Sequence, residues 1–132
     1  LEAAGLAVPA DMQGRSALPV LRGTAPADWR TSMYYRYYHD PGDHNTRAHY
    51  GVRTTTHKLI YYWTKDQWEL FDLVTDPLEL NNLYGQPGFG PLTAELKGEL
   101  IRLKTALEDH DEFAGQQIPN GVDGPVAKLR GK

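Results

Sequence analysis

Two short segments, 57–63 and 68–73, constrain the fold most, because each is apolar on both of its sides. Side chains alternate between the two faces of a strand. The first segment therefore presents two apolar sets: Leu59, Tyr61 and Trp63 on one face, Ile60 and Tyr62 on the other. The four residues between the segments, 64–67, are a common length for a hairpin turn. A sheet with one solvated face would alternate apolar with polar residues, so both faces of this hairpin are expected to be covered.

A helix is predicted after the hairpin. Pro91 suits its first turn, since proline fits the start of a helix. Leucines then recur at four- and three-residue steps as one apolar stripe: Leu92, Leu96, Leu100, Leu103 and Leu107. One helix covers one face only. The remaining aromatic face, with Tyr61 and Trp63 or Ile60 and Tyr62, therefore predicts a second covering body, either a larger domain or an oligomer partner.

Further strands are predicted at 31–38 and 50–55, because aromatic residues favour a pleated, half-buried surface. Together with the hairpin they give an α+β fold. We expect a small antiparallel β-sheet of about four strands, with the C-terminal amphipathic helix packed on one face. Asp76 is expected to cap a short turn, with Pro77 in its first position and Glu79 reaching back as in a capping box.

Three regions are expected along the chain. Residues 1–30 are mixed turn and short helix, and Leu1–Leu6 resembles the last turn of a helix that ends at Gly5 and lies mostly upstream. Residues 31–110 carry the sheet and the helix. Residues 111–132 lose the periodicity and accumulate Gly, Pro and Gln, which predicts an irregular tail.

Composition excludes several functions. The formal net charge of −3 gives no basic footprint for nucleic acid. No apolar run approaches the roughly 20 residues of a membrane-spanning helix. Without cysteine the chain has no disulfide, thiolate metal site or cysteine nucleophile. The run 34–38 could stack on nucleic-acid bases, but Arg36 is its only charge, so a core strand is the favoured interpretation.

The residues that could carry chemistry cluster in a His- and Arg-rich stretch, 39–53. Arginine offers a planar fork of donors and histidine a donor that titrates near neutrality, which suits an anionic group. A merely solvated polar loop is the alternative. The spacing of His44 and His49 matches no closed zinc pattern, so no metal ligand is assigned. Ser16 and Ser32 lie outside any nucleophile elbow, so no catalytic residue is assigned.

Six short motifs follow one another in order: Met12-Gln13-Gly14-x-Ser16-x-Leu18-Pro19-x-Leu21-x-Gly23, the Tyr34–Tyr38 strand, His49-Tyr50-Gly51-Val52-Arg53-Thr54, Lys58-Leu59-Ile60, Trp68-Glu69-Leu70-Phe71-Asp72-Leu73, and Asp76-Pro77-x-Glu79-x-x-Asn82-Leu83. In number and order they resemble the C-terminal subdomain of the sulfatase family, within the alkaline-phosphatase-like superfamily. The resemblance extends from about Leu1 to Leu107. The context Asp40-Pro41-Gly42-x-His44 and Arg47-x-His49-Tyr50-Gly51 resembles members that act on sulfated sugars.

The resemblance implies part of a sulfuric ester hydrolase. The family subdomain is a small antiparallel sheet with a C-terminal helix, packed on a large α/β domain. Residues 1–30 would be the segment that leads out of that large domain. Family members use a formylglycine from a C/S-x-P-x-R motif and a calcium ion. Neither motif nor calcium ligands occur here, so both are expected in a catalytic domain outside this chain, and the chain alone is expected to be inactive. The family suggests a periplasmic or extracellular location.

By position, the resemblance makes His44, Arg47 and His49 the expected substrate-binding residues, on one wall of a cleft for a sulfated saccharide. Two other hypotheses stay open. The chain could be an independent, non-catalytic carbohydrate- or anion-binding module, or a structural oligomerisation domain that uses its apolar face. The coding sequence upstream of Leu1 distinguishes them, since a C/S-x-P-x-R motif there favours the enzyme.

Overall fold

The computed structural model describes residues 1–40, 42, 45–112 and 114–115. The chain divides into two compact units, Leu1–Thr31 and Ser32–Lys132. Within the described residues, no helix combines the length and the apolar character needed to cross a membrane.

The first unit holds little regular structure. Its two helices are short: a 3-10 helix at Glu2–Ala4 and a single turn, α1, at Leu18–Leu21. Gly5 ends the 3-10 helix at a φ of 70°, a left-handed conformation that glycine adopts without steric cost. Arg15 pairs with Asp28 at 3.2 Å and its guanidinium lies 5.2 Å from the centre of the Trp29 ring. This exposed cluster anchors Trp29 within the unit.

In the part that the structure describes, the second unit is a four-stranded antiparallel sheet followed by one helix, which confirms the predicted α+β class. The strands pair in chain order: β1 (Ser32–Tyr37), β2 (His49–Thr54), β3 (His57–Tyr62) and β4 (Gln67–Asp72). The helix, α2, spans Gly90–Ala106. Trp63 and Leu73, the last residues of the two predicted hairpin strands, lie just beyond the ends of β3 and β4. The Lys65 N–H closes the hairpin turn on the Tyr62 carbonyl at 3.1 Å.

One face of the sheet packs against α2. Tyr34, Val52, Leu59 and Leu70 stand opposite one another across the four strands. The buried core joins this row to the helix: Val52, Leu59, Leu70, Leu96 and Leu100. Burying a leucine side chain contributes on the order of 2 kcal/mol, so the leucine stripe and this sheet face stabilise each other. Leu107, the last leucine of the stripe, follows the helix and is exposed.

The opposite face is closed largely by its own rings. Gly51 permits this, because a Cβ there would lie 2.6 Å from the Tyr35 hydroxyl and 2.4 Å from the Leu59 carbonyl oxygen. Ile60 and Phe71 are 5% and 6% exposed. The expectation that Tyr61 and Trp63, or Ile60 and Tyr62, would be left exposed is therefore wrong: none of them falls in the exposed class. Met33, in β1, is exposed on this face; other exposed apolar side chains of the unit include Leu78 and Leu80, which follow β4.

The outer edge of β4 is covered by the segment that follows it. Asn82 accepts through Oδ1 from the Leu70 N–H at 3.0 Å and donates through Nδ2 to the Trp68 carbonyl at 3.2 Å. The Leu83 N–H donates to the Leu70 carbonyl at 2.8 Å. An amide side chain, both donor and acceptor, thus imitates one more strand residue and protects an otherwise open edge.

The predicted capping box at Asp76 does not form. Asp76 Oδ2 accepts from the Asn81 N–H at 2.8 Å. Glu79 has a φ of 55°, and its carboxylate accepts instead from Lys58 Nζ at 2.6 Å. An ion pair to the neighbouring strand β3 has replaced the expected contact within the turn, and no helix forms at this position.

Candidate functional site

The β1–β2 loop (residues 38–48) carries most of the predicted site, and two features close it. The Gly42 N–H donates to the Thr46 carbonyl at 2.7 Å, and the Asn45 N–H donates to the Gly42 carbonyl at 3.1 Å. A Cβ on Gly42 would lie 1.8 Å from the Tyr37 hydroxyl oxygen. Glycine at position 42 therefore lets the loop pack down on Tyr37, the last residue of β1.

Arg47 is ion-paired and partly accessible to solvent. Its Nη1 donates to Asp40 Oδ1 at 3.0 Å, and 38% of its side chain is exposed. Asp40 Oδ2 accepts from the Thr64 hydroxyl, beyond the end of β3. The Thr64 hydrogen bond and the Arg47 guanidinium lower the pKa of Asp40, against the opposing effect of burial. Asp40 is therefore ionised at neutral pH.

His49 is fixed by its neighbours. Its Nδ1–H donates to the Arg47 carbonyl at 2.7 Å, since a carbonyl oxygen can only accept. The ring lies 5.4 to 5.9 Å from the ring centres of Tyr35, Tyr37 and Tyr62. Nε2 of a neutral ring is then the hydrogen-bond acceptor. The structure thus places Arg47 and His49 side by side, while His44, the third predicted residue, lies outside the described residues.

An open groove of about 970 Å³ runs beside the loop. Its lining combines amides, aromatic rings and charges: Asn45, Thr46, Arg47, Tyr62, Lys65, Asp66, Gln67, Trp68, Glu69, Asn82 and Tyr84. Tyr62 already donates to Glu69 at 3.0 Å, and Asn82 is engaged with the β4 backbone. Among the predicted site residues, Arg47 lines the groove and His49 does not. The groove offers cationic and amide donors suited to an oxygen-rich anion.

A second arginine cluster was not predicted from the sequence. Arg36 projects from β1 toward the end of α2, where Nη1 pairs with Asp109 and Asp111, each at 2.6 Å. Its guanidinium carbon lies 4.7 Å from the ring centres of both Tyr38 and Trp63. The only sequence signal was a single charge inside an aromatic strand, because its partners lie more than 70 residues away.

This cluster fixes the segment after α2 against the sheet. The Tyr34 hydroxyl also donates to Asp109, and Lys104 pairs with Asp111. Burial alone would raise the pKa of Asp109, but hydrogen bonds from Arg36 and Tyr34 lower it to about 2. Arg36 is 4% exposed. Its charge is paired with two carboxylates of this chain, so we interpret the cluster as architecture rather than a ligand site.

The residues in the described part of this chain do not suit the formylglycine or the calcium ion that the sulfatase resemblance implies. Within residues 1–40, 42, 45–112 and 114–115, no three His, Asp or Glu side chains converge as a metal site. The sequence has no cysteine, and neither serine stands in a C/S-x-P-x-R motif. No nucleophile or calcium ligand is assigned to it.

The family model described as N-sulphoglucosamine sulphohydrolase, C-terminal, matches residues 1–106. The chain is 41% identical over 114 residues to an N-acetylglucosamine-6-O-sulfatase of Bacteroides thetaiotaomicron, covering 84% of this chain and 20% of that protein. It is 31% identical over 114 residues to a Δ4,5-hexuronate-2-O-sulfatase of the same bacterium, covering 80% of this chain and 22% of that protein.

A solved structure agrees with these sequence matches. It is described as a complex with its substrate D-glucosamine-2-N,6-O-disulfate, and it superposes with a TM-score of 0.77 at 40% identity. The match covers 83% of this chain and 23% of that one. The chain thus spans roughly a fifth to a quarter of the length of the curated relatives it matches.

Proposed function

The chain belongs to the family of N-sulphoglucosamine sulphohydrolase C-terminal domains, and we propose that it forms one wall of the substrate cleft of a sulfatase that acts on a sulfated saccharide. Its relatives include sulfatases of sulfated sugars. The observation that carries the proposal is Arg47. It is an accessible arginine on a closed loop, beside a groove and next to a histidine of fixed orientation.

The contacts of Arg47 suit a recognition role. Among the described residues its ion pair engages Nη1, whereas the guanidinium carries five N–H donors in a planar fork. A sulfated sugar presents anionic and hydroxyl oxygens that such a fork and a histidine can meet at hydrogen-bond distance. We assign His44, Arg47 and His49 to contacts with the saccharide at a distance from the reacting sulfur.

The chemistry itself belongs, in this proposal, to a catalytic domain on which this chain packs. That domain would supply the formylglycine and the calcium ion of the family. Residues 1–30 would lead out of it, residues 31–110 would form the cleft wall, and residues 111–132 would form a tail. The 132-residue chain by itself should then hydrolyse neither arylsulfates nor sulfated saccharides, even with added calcium. Turnover that copurifies with the isolated chain would contradict this assignment.

The test compares two substrates in the intact enzyme. Arg47→Ala and His44→Ala should lower kcat/KM for a sulfated glucosamine saccharide by roughly ten- to a hundredfold, the effect of losing a hydrogen bond to a charged group. A small arylsulfate lacks those sugar contacts and should react as before. Arg15→Ala removes another exposed, paired arginine and is the matched control. If both loop variants hydrolyse the saccharide as well as the wild type does, the loop is a solvated turn with no role in recognition.

A further inference from the structure

Asp40 connects the predicted recognition residue to the rigid part of the fold. One carboxylate oxygen, Oδ1, accepts from Arg47 Nη1 at 3.0 Å, and the other, Oδ2, accepts from the Thr64 hydroxyl. The Asp40 side chain is only 12% exposed, although it lies in a surface loop. Both of its oxygens are thus committed to partners from two different turns.

Thr64, the second partner of Asp40, connects two paired strands of the sheet. Thr64 lies in the turn of the β3–β4 hairpin, whose strands pair along their full length, from His57 opposite Asp72 to Tyr62 opposite Gln67. An arginine side chain has many rotamers, and fixing them opposes binding. A carboxylate that holds both Thr64 and Arg47 ties the guanidinium to the hairpin before any ligand arrives.

We infer that Asp40 is a positioning residue: by holding Arg47 against the Thr64 turn, it presents the remaining guanidinium donors to the sulfated saccharide. The inference rests on the proposed function of Arg47. It assigns Asp40 no contact with the saccharide, so its effect must pass through Arg47. Because the pair bears on binding and not on the reacting sulfur, its loss should change KM and leave kcat unchanged.

In the intact enzyme, Asp40→Ala should raise KM for a sulfated glucosamine saccharide by roughly three- to tenfold with kcat unchanged, the effect of losing one hydrogen bond. Thr64→Val removes the hairpin partner alone and should raise KM by a smaller factor in the same direction. Asp28→Ala, the same change in the exposed pair with Arg15, should leave KM at its original value. The melting temperature of each variant is recorded alongside, and the near-isosteric Asp40→Asn replaces Asp40→Ala if the latter folds poorly.

The deciding experiment is a double-mutant cycle with Arg47. If Asp40 acts through Arg47, adding Asp40→Ala to Arg47→Ala should leave KM where Arg47→Ala alone put it. An equal further rise in that background, or no rise in the parent enzyme, would overturn the positioning role. If instead Arg47→Ala alone leaves the saccharide KM unchanged, the proposed function of the loop fails, which is a different result.

Discussion

Two arginines of the second unit differ in burial: Arg36 is enclosed by protein, whereas Arg47 is partly exposed. Arg36 is 4% exposed, pairs with two carboxylates and packs against aromatic rings. Arg47 is 38% exposed, and its ion-pair partner among the described residues is Asp40. Both are ion-paired arginines near the same strands, so residue type alone does not distinguish them.

The two arginines differ in how accessible their guanidinium donors are to a ligand. The Arg36 guanidinium itself is enclosed: Nε and Nη2 are buried and have no hydrogen-bond partner within the described residues, and the rings of Tyr38, Tyr50 and Trp63 lie near it. Removing either side of such a pair leaves an uncompensated buried charge. Arg47 lines a groove, and a pair with one solvent-accessible partner contributes little to stability. The buried arginine therefore holds the fold together, and the exposed one is available for recognition.

The largest effect is expected at Arg36. Arg36→Ala should lower the free energy of unfolding by about 3 kcal/mol, because Asp109 and Asp111 lose their shared cation and the aromatic rings lose a packed neighbour. Urea denaturation followed by tryptophan fluorescence measures it. Arg15→Ala, which removes an exposed arginine that also packs on a ring, should stay close to the parent. Equal stability of the two variants would remove the distinction between buried and exposed pairs.

Acid should weaken the Arg36 cluster over a defined pH range. The pKa of Asp109 is lowered from 3.8 to about 2, so the unfolded chain takes up this proton first as the pH falls. The stability contributed by this group, about 2 kcal/mol, is complete above roughly pH 5 and is lost between about pH 4 and pH 2.

Asp109→Asn isolates that contribution. The variant should be less stable than the parent at pH 7 and should lose less on acidification, so that the two urea midpoints converge toward pH 2. Asp11→Asn, the same change at an exposed aspartate, should follow the parent throughout. Parallel acid profiles for Asp109→Asn and the parent would show that this carboxylate does not support the fold.

The smallest stability effect is expected at Arg47. Arg47→Ala should cost less than about 1 kcal/mol in urea denaturation, because the Arg47 end of the pair is accessible to solvent. The same variant should lose most of its saccharide specificity in the intact enzyme. A loss of several kcal/mol would place Arg47 with Arg36 as a structural residue and would weaken its assignment to recognition.

The sequence predicted the parts of the fold that rest on local pattern. The apolar character of both sides of 57–63 predicted the hairpin strands, and the leucine stripe from Leu92 to Leu107 predicted the helix on one face of the sheet, since burial follows residue spacing. Which face the helix covers was left open, and Leu107 proved to be exposed. Glu79 shows the limit of that reasoning. Its position matched a capping box, but Lys58 of the neighbouring strand offered a charge-assisted partner that local sequence does not reveal.

The candidate site shows the same division. Arg47 and His49 could be singled out by composition and resemblance, and the structure places them side by side. The role of Asp40 could not, because its second partner, Thr64, is 24 positions away in another turn. Arg36 was noticed only as an isolated charge, since what defines its environment is the segment after α2. The prediction for His44 stays a prediction.

The most direct test is a crystal structure of the intact sulfatase with a sulfated glucosamine saccharide bound. We expect the β1–β2 loop to face the cleft and the Arg47 guanidinium to lie about 3 Å from an oxygen of the saccharide. Asp40 should still bridge Arg47 and Thr64, and Arg36 should remain paired with Asp109. A saccharide bound away from this loop, with Arg47 pointing to solvent, would contradict the account.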